Sequence, residues 1–380
     1  MNRIYFKALM LLTIFVSCSS AEIRTKYPVD LYGYIKLDAA YDTARTDNGN
    51  YARWVNSEST NKKDSQFNMT ANQTRLGFKF SGPAETGNIK ISGKIEVDFY
   101  GGGGAENKGN IMMRHAYLQM DWLDSDLSLL AGQTSDVVSP LFPNTINLTV
   151  GWWAGNYGYR NPQLRLTKGI PVKGGKLLIQ GAFVRTIGDA NIFGPGDSGE
   201  DAGFPAIQAR VAYLAANKTT IGISGHWGTE EYDFNNKGEF NDYKTWSANL
   251  DLSVPISGKV IMKSELWTGT NMDQYLGGIG QGINTSSTTT INSSGGWLTF
   301  SIGPFDKCSY EIGATVDDPD DNNLSNNNDK TSNMSYFANV WYAVTESVKM
   351  GVELSNWRTE YNKIEPGDSI RLQYSLVYEF

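Results

Sequence analysis

Apolar side chains recur at every second position through most of this chain, with polar residues in the gaps. In "NIKISGKIEVDF", Ile89, Ile91, Gly93, Ile95, Val97 and Phe99 share one side and Lys90, Ser92, Lys94, Glu96 and Asp98 the other. Successive side chains of a strand point to opposite faces, so a period of two reads as β-strand. In "VDLYGYIKLDAAYD", Leu31, Ile35, Leu37 and Tyr41 oppose Asp30, Lys36, Asp38 and Asp42, and "TWSANLDLSV" and the terminal "RLQYSLVYEF" divide in the same way. Sixteen such segments are predicted, beginning near Val29, Arg75, Asn88, Met112, Leu127, Gln163, Lys176, Ala206, Thr219, Thr245, Lys259, Trp297, Cys308, Ser335, Val348 and Ser369.

The connections between them alternate in length. Short ones such as "LDSD", "AANK" and "TES" separate the members of hairpins, and long polar ones span 43–73, 101–111, 135–162, 186–205, 229–243, 270–294, 317–333 and 359–368. One rim of the sheet is therefore trimmed and the other elaborated. A soluble sandwich also shows period two, but an even strand number in a short-long rhythm fits a closed transmembrane β-barrel better. A bilayer offers backbone groups no water, so a sheet crosses it only when closed on itself, with strands of about 9 to 11 residues, apolar out and polar in. Aromatic residues at segment ends, including Phe99, Trp122, Trp246 and Tyr378, suit the interfacial girdles of such a barrel. The expected fold is all-β: a sixteen-stranded antiparallel transmembrane barrel over residues 22–380, with short periplasmic turns and long extracellular loops.

Residues 1–21 carry Arg3 and Lys7, an apolar run from Ala8 to Val16 and the small residues Ser19 and Ala21, the layout of a secretory signal cleaved after Ala21. The run is shorter than the ~20 apolar residues of a membrane anchor. Cys18 raises the alternative of a lipoprotein signal. Loss of this segment leaves 31 basic against 40 acidic residues, and so acidic a chain speaks against nucleic acid as a partner. It also leaves Cys308 as the only cysteine, so no internal disulfide is expected. Neither a cofactor motif nor a defined metal loop is evident: "GGGG" at 101–104 precedes no helix, and "DDPDDNNLSNNND" lacks the spacing of a calcium loop.

Two segments do not divide cleanly. In "MMRHAYLQMDW" either Arg114 or His115 must face lipid unless a bulge shifts the phase, and "LSLLAGQTS" is apolar on both faces. Elsewhere the outward set fixes an inward one that includes Lys36, Asp38, Arg75, Lys79, Lys90, Lys94, Glu96, Asp98, Gln208, Arg210, Asn249, Asp251, Lys263, Glu265, Glu311, Glu353 and Arg371. A barrel of this size leaves a water channel, so diffusion of small solutes is the default function. Each charge alone reads as a hydrated wall residue. Arg75 and Lys79 on one strand with Lys90 and Lys94 on its hairpin partner, joined by Arg114 if inward, make a basic patch suited to organic anions, diluted by the acids Glu96 and Asp98. The connection at 135–161 is unusually apolar, with Trp152, Trp153, Tyr157 and Tyr159, and ends near Arg160 and Arg165. It reads either as a cap on the rim or a neighbouring subunit, or as a loop that enters the lumen and constricts it.

The stretches "GYIKLDAAYD", "TRLGFKFSG", "GKIEVDFYG", "RHAYLQMDW", "LLAGQTSD", "RNPQLRLT", "LGGIGQG" and the terminal strand, in this order, resemble the DcaP-like trimeric outer-membrane porins. The resemblance implies a homotrimer in the outer membrane of a Gram-negative bacterium, surrounded by outer-membrane lipid. It also implies uptake of small anionic solutes such as dicarboxylic and aromatic acids, with Arg75, Arg114, Arg160 and Arg165 at positions of family arginines. Some members carry a helical extension before the first strand, where this chain has only "EIRTKYPVD". The final residues, with Tyr378 and Phe380 at alternate positions, look like the signal that barrels present to their insertion machinery. Two other functions remain open: a sugar-specific or general porin, in which the aromatic residues of 135–161 would stack solutes, and a barrel enzyme, for which only His115 and His226 could supply an imidazole base.

Overall fold

A computed structural model describes residues 25–83, 88–101, 109–186, 202–232 and 241–380. The signal segment and most of the glycine run at 101–104 lie outside them. The strands in chain order are β1 (Val29–Asp42), β2 (Gln66–Thr70), β3 (Arg75–Ser81), β4 (Ile89–Asp98), β5 (Met112–Trp122), β6 (Leu127–Ser135), β7 (Arg160–Val172), β8 (Gly175–Val184), β9 (Ala206–Ala215), β10 (Thr220–Tyr232), β11 (Asn241–Ser257), β12 (Val260–Thr270), β13 (Ile283–Asn284), β14 (Thr289–Thr290), β15 (Asn292–Phe305), β16 (Cys308–Pro319), β17 (Lys330–Ala343), β18 (Val348–Tyr361) and β19 (Gly367–Glu379). All but the small β13–β14 hairpin belong to one antiparallel sheet.

That sheet closes. β1 pairs with β19 from Tyr34 opposite Glu379 to Asp42 opposite Arg371, and Gly33 and Phe380 exchange backbone hydrogen bonds at 3.1 and 3.2 Å. On its other side β1 meets β3 over its first half and β2 over its second. β2 and β3 are thus one stave broken at residues 71–74, where Thr74 N–H turns back to the Ala71 carbonyl at 2.9 Å. The result is a sixteen-stave barrel with no open edge in the bilayer.

The two faces follow the alternation. On β1, Leu31, Ile35 and Tyr41 are exposed while Lys36, Asp38 and Asp42 are buried; on β19, Leu372, Leu376 and Tyr378 are exposed, as is Phe380 just after it, while Arg371, Gln373 and Ser375 are buried. A row of exposed leucine, isoleucine and aromatic side chains around the whole sheet is stable in lipid, where the same row in water would drive aggregation. Among the described residues, no helix is long and apolar enough to cross a membrane.

Several strand bounds differ from expectation. β7, β11, β15 and β17 start at Arg160, Asn241, Asn292 and Lys330, several residues before the alternation does, and β2 lies within a stretch expected to be all loop. These extensions stay in the ladder, with a register shift between Lys330 and Ser332 in β17, but they rise above the apolar band, so both their faces tolerate polar residues and the period-two signal disappears. β5 resolves the Arg114–His115 ambiguity. Its register with β4 shifts between Glu96, opposite His115, and Val97, opposite Met113, so Arg114 is the extra residue of a bulge and both side chains turn inward. In β6, Leu129 stands beside Leu166 and Leu130 beside Arg165, which makes Leu130 the inward member.

Candidate solute path through the lumen

Residues 136–159, between β6 and β7, contact inward side chains on far walls of the barrel. Asp136 closes the base of this loop: its carboxylate accepts from Tyr159 N–H at 2.7 Å, from the Asn161 amide at 3.0 Å and from Gln208 on β9 at 3.0 Å. Burial pushes this carboxyl above its ordinary range, against the pull of those three donors. Farther along, Glu265 on β12 accepts from Leu141 N–H at 2.9 Å and Ser139 Oγ at 2.5 Å, and Glu353 on β18 accepts from Ile146 N–H at 2.6 Å and Asn147 N–H at 3.3 Å. Asn333 on β17 donates to the Trp153 carbonyl at 2.8 Å, and Trp267 Nε1 to the Gly155 carbonyl at 2.6 Å. An irregular segment inside a barrel needs partners for its backbone groups, and these wall side chains supply them.

The connections after β1, β6 and β12 share apolar clusters. Trp152, Trp153 and Leu276 form one, with Trp54, Phe142, Val150 and Tyr159 packed against it; Val138, Tyr157, Trp267, Met272 and Tyr275 form another. Tyr157 is fully buried, its ring 5.2 Å from that of Trp267; Trp152 and Trp153 are buried within their cluster, and Tyr159 is partly buried at its edge. Stacking a sugar requires open ring faces, which Tyr157 does not offer.

On the near wall, β3, β4 and β5 bring the expected basic patch together. Glu96 is its centre: Arg75 lies 3.5 Å from it, Lys94 3.0 Å and Arg114 3.1 Å, and the Tyr32 hydroxyl donates to it at 2.8 Å. Arg114 also bonds Asp98 at 2.6 Å, and His115 Nδ1 pairs with Thr134 Oγ1 at 3.0 Å. Arg160, the first residue of β7, lies over the Tyr159 ring at 4.6 Å and the Trp152 ring at 5.4 Å. Arg165 donates to the Gln163 side chain at 2.8 Å. Lys79 sits over the Tyr32 ring at 4.8 Å, and Lys90 stands opposite Asp121, both exposed toward the short-turn rim. Two carboxylates thus serve Arg75, Lys94 and Arg114, while Arg160, Arg165 and Lys79 have no carboxylate within 4.0 Å among the described residues; the wall carries surplus positive charge.

Besides Lys90 at the rim, two expected anion-binding residues do not join it. Arg371 is wholly buried, with Asp42 at 2.8 Å and the Asn50 carbonyl at 3.2 Å, and Arg210 grips Asp251 in a fork at 2.6 and 2.9 Å. Both spend their donors inside the wall, as Asp38 spends its carboxylate on Lys36 at 3.2 Å and Gln373 at 3.1 Å. His226 is enclosed as well, its nitrogens 2.7 Å from Ser247 Oγ and 2.8 Å from Thr245 Oγ1 and its ring stacked on Tyr275 at 4.0 Å. The expectations passed over Tyr32 and Tyr34, although the alternation of β1 puts them on the same face as Lys36; Tyr34 lies 5.2 Å from the Arg75 guanidinium.

The profile of the DcaP outer membrane protein family matches residues 6–213. No curated protein matches the chain. Among solved structures, the outer membrane channel DcaP of Acinetobacter baumannii superposes with a TM-score of 0.76 at 20% identity, covering 94% of this chain and 99% of that one. OmpF of Salmonella typhi, in complex with daunomycin, gives 0.62 at 14% identity over 93% and 98%. OmpT of Vibrio cholerae in its trimer form gives 0.57 at 9% identity over 93% and 99%.

Proposed function

The chain belongs to the DcaP outer membrane protein family, and from that premise we propose that it is a passive, anion-favouring channel for small organic acids in the outer membrane of a Gram-negative bacterium. The observation that carries this reading is the surplus of cations at Arg75, Lys94, Arg114 and Arg160 over Glu96 and Asp98 on one wall. Solutes pass between that wall and the loop at 136–159, which narrows the lumen. Guanidinium groups meet carboxylates in a planar fork, and a low-dielectric wall focuses their field on the channel, so anions are enriched over cations. The rings of Tyr34, Tyr159 and Trp152 beside these cations extend the substrate class from dicarboxylates to aromatic acids.

The homotrimer is part of the same proposal, supported by the trimeric form of a structural neighbour. So are export by cleavage after Ala21 and recognition of the exposed Tyr378 and Phe380 pair, 6.2 Å apart, by the barrel insertion machinery. The test is block of the purified channel in a planar bilayer by succinate and benzoate. Both acids are expected to interrupt the current at concentrations where maltodextrin does not. Block by maltodextrin alone would replace this reading with the sugar porin.

A further inference from the structure

A second set of cations lies among the long loops. Arg53 follows β1 in the chain, and Lys330 opens β17. The Arg53 guanidinium is 4.4 Å from the Trp54 ring and 4.9 Å from the Trp153 ring, and Lys330 Nζ is 4.5 Å from the Trp54 ring. The Trp152 and Trp153 rings are 6.4 Å apart, and Arg160 lies over Trp152. Cations and indoles therefore form one chain, from Lys330 through Trp54, Arg53, Trp153 and Trp152 to Arg160. One end is at the loops and the other at the basic wall.

The charges in this chain are unevenly matched. Arg53 is paired with Asp47 at 2.5 Å. Lys330 Nζ has no carboxylate within 4.0 Å among the described residues, although Asp47 and Asp329 act on its charge from farther away. Trp152 Nε1, Trp153 Nε1 and Arg160 Nε are buried without an acceptor among the described residues. Buried donors seek acceptors, and a half-buried ammonium set on an indole seeks a counter-ion. Of these groups Trp54 and Lys330 are partly exposed, and the Lys330 ammonium is the cation left without a close carboxylate among the described residues.

We propose that Lys330, Arg53 and Trp54, all partly exposed, form a docking site on the long-loop side for planar aromatic carboxylates, which then pass to Arg160 and the basic wall. The site rests on the anion-channel reading and adds a place and an order to it. The carboxylate meets Lys330 while the ring lies against Trp54, a contact that favours flat rings over puckered ones.

Single-channel recordings with benzoate and cyclohexanecarboxylate, equal in charge and different in ring shape, test it. Each acid is added first to the chamber facing the long loops and then to the other. Benzoate from the long-loop chamber is expected to block more often than cyclohexanecarboxylate. Lys330→Gln should lower the ratio of benzoate events between the two chambers about tenfold, in the range of electrostatic steering. Trp54→Leu should abolish the preference for the flat acid. An unchanged ratio in Lys330→Gln, or an equal loss from both chambers, overturns the docking site while leaving the channel anion-favouring. A cation-favouring reversal potential in the unaltered protein, measured in KCl before either acid is added, removes the channel reading and the site with it.

Discussion

Replacing Glu353 with alanine should release the loop at 136–159 from the far wall without opening the barrel. The buried carboxylate accepts from Ile146 N–H at 2.6 Å, Asn147 N–H at 3.3 Å and the Asn339 amide at 2.9 Å. Asn339 keeps a second partner, the Asn144 carbonyl at 2.8 Å, so the loss falls on the two backbone donors. A buried donor left unsatisfied costs about 1 to 3 kcal/mol, so the docked loop loses about 3 kcal/mol in all. At 1.4 kcal/mol per factor of ten, the undocked population rises roughly a hundredfold. The assay is the fraction of time that single channels spend at elevated conductance, with retention of the folded, heat-modifiable band in gel electrophoresis as proof of an intact barrel. Glu353→Gln, which keeps one acceptor oxygen, should show a smaller rise. Conductance histograms of Glu353→Ala that match those of the unaltered protein would refute the argument that this carboxylate holds the loop.

Gly155 should respond in the same direction. It holds φ +114°, and a Cβ built on it would lie 2.3 Å from the Gly296 carbonyl oxygen and 2.4 Å from that of Val316, so Gly155→Ala must lift the loop off β15 and β16; raised channel noise with an intact barrel is the expected record. Arg371→Met strands Asp42 in the wall, a loss of about 3 to 5 kcal/mol for a broken buried pair. Its unfolding midpoint should fall, and adding Asp42→Asn should recover much of the loss.

The barrel was legible because lipid imposes its pattern on the sequence. Ile89 to Phe99 and Leu372 to Phe380 must alternate when one face meets hydrocarbon and the other water, and counting such runs yields the staves. Above the bilayer that constraint ends, which is why the first residues of β11, β15 and β17 carried no mark. The bulge at Arg114 needed no special residue type, so only its consequence, two polar neighbours in a row, could be seen. Charge pairing was the least legible feature. Arg371 and Asp42 are 329 residues apart in sequence and become neighbours only through closure, and Glu265 and Glu353 look like any other inward acid until the loop they hold is in place. The basic patch on β3, β4 and β5 was readable because one hairpin and its neighbour carry all of it, whereas Arg53 lies in the connection after β1 and Lys330 at the start of β17, with no period to relate them.

The central claim is that the surplus of Arg75, Lys94, Arg114 and Arg160 over Glu96 and Asp98 makes the lumen favour anions. Its most direct test is the reversal potential of the purified channel across a tenfold KCl gradient, for the unaltered protein and for the Arg75→Gln, Lys94→Gln, Arg114→Gln triple variant. The account predicts an anion-favouring potential that the triple variant reverses or abolishes, since Glu96 and Asp98 then lose their three paired cations. A cation-favouring potential in the unaltered protein, or one that the three substitutions leave in place, would contradict it.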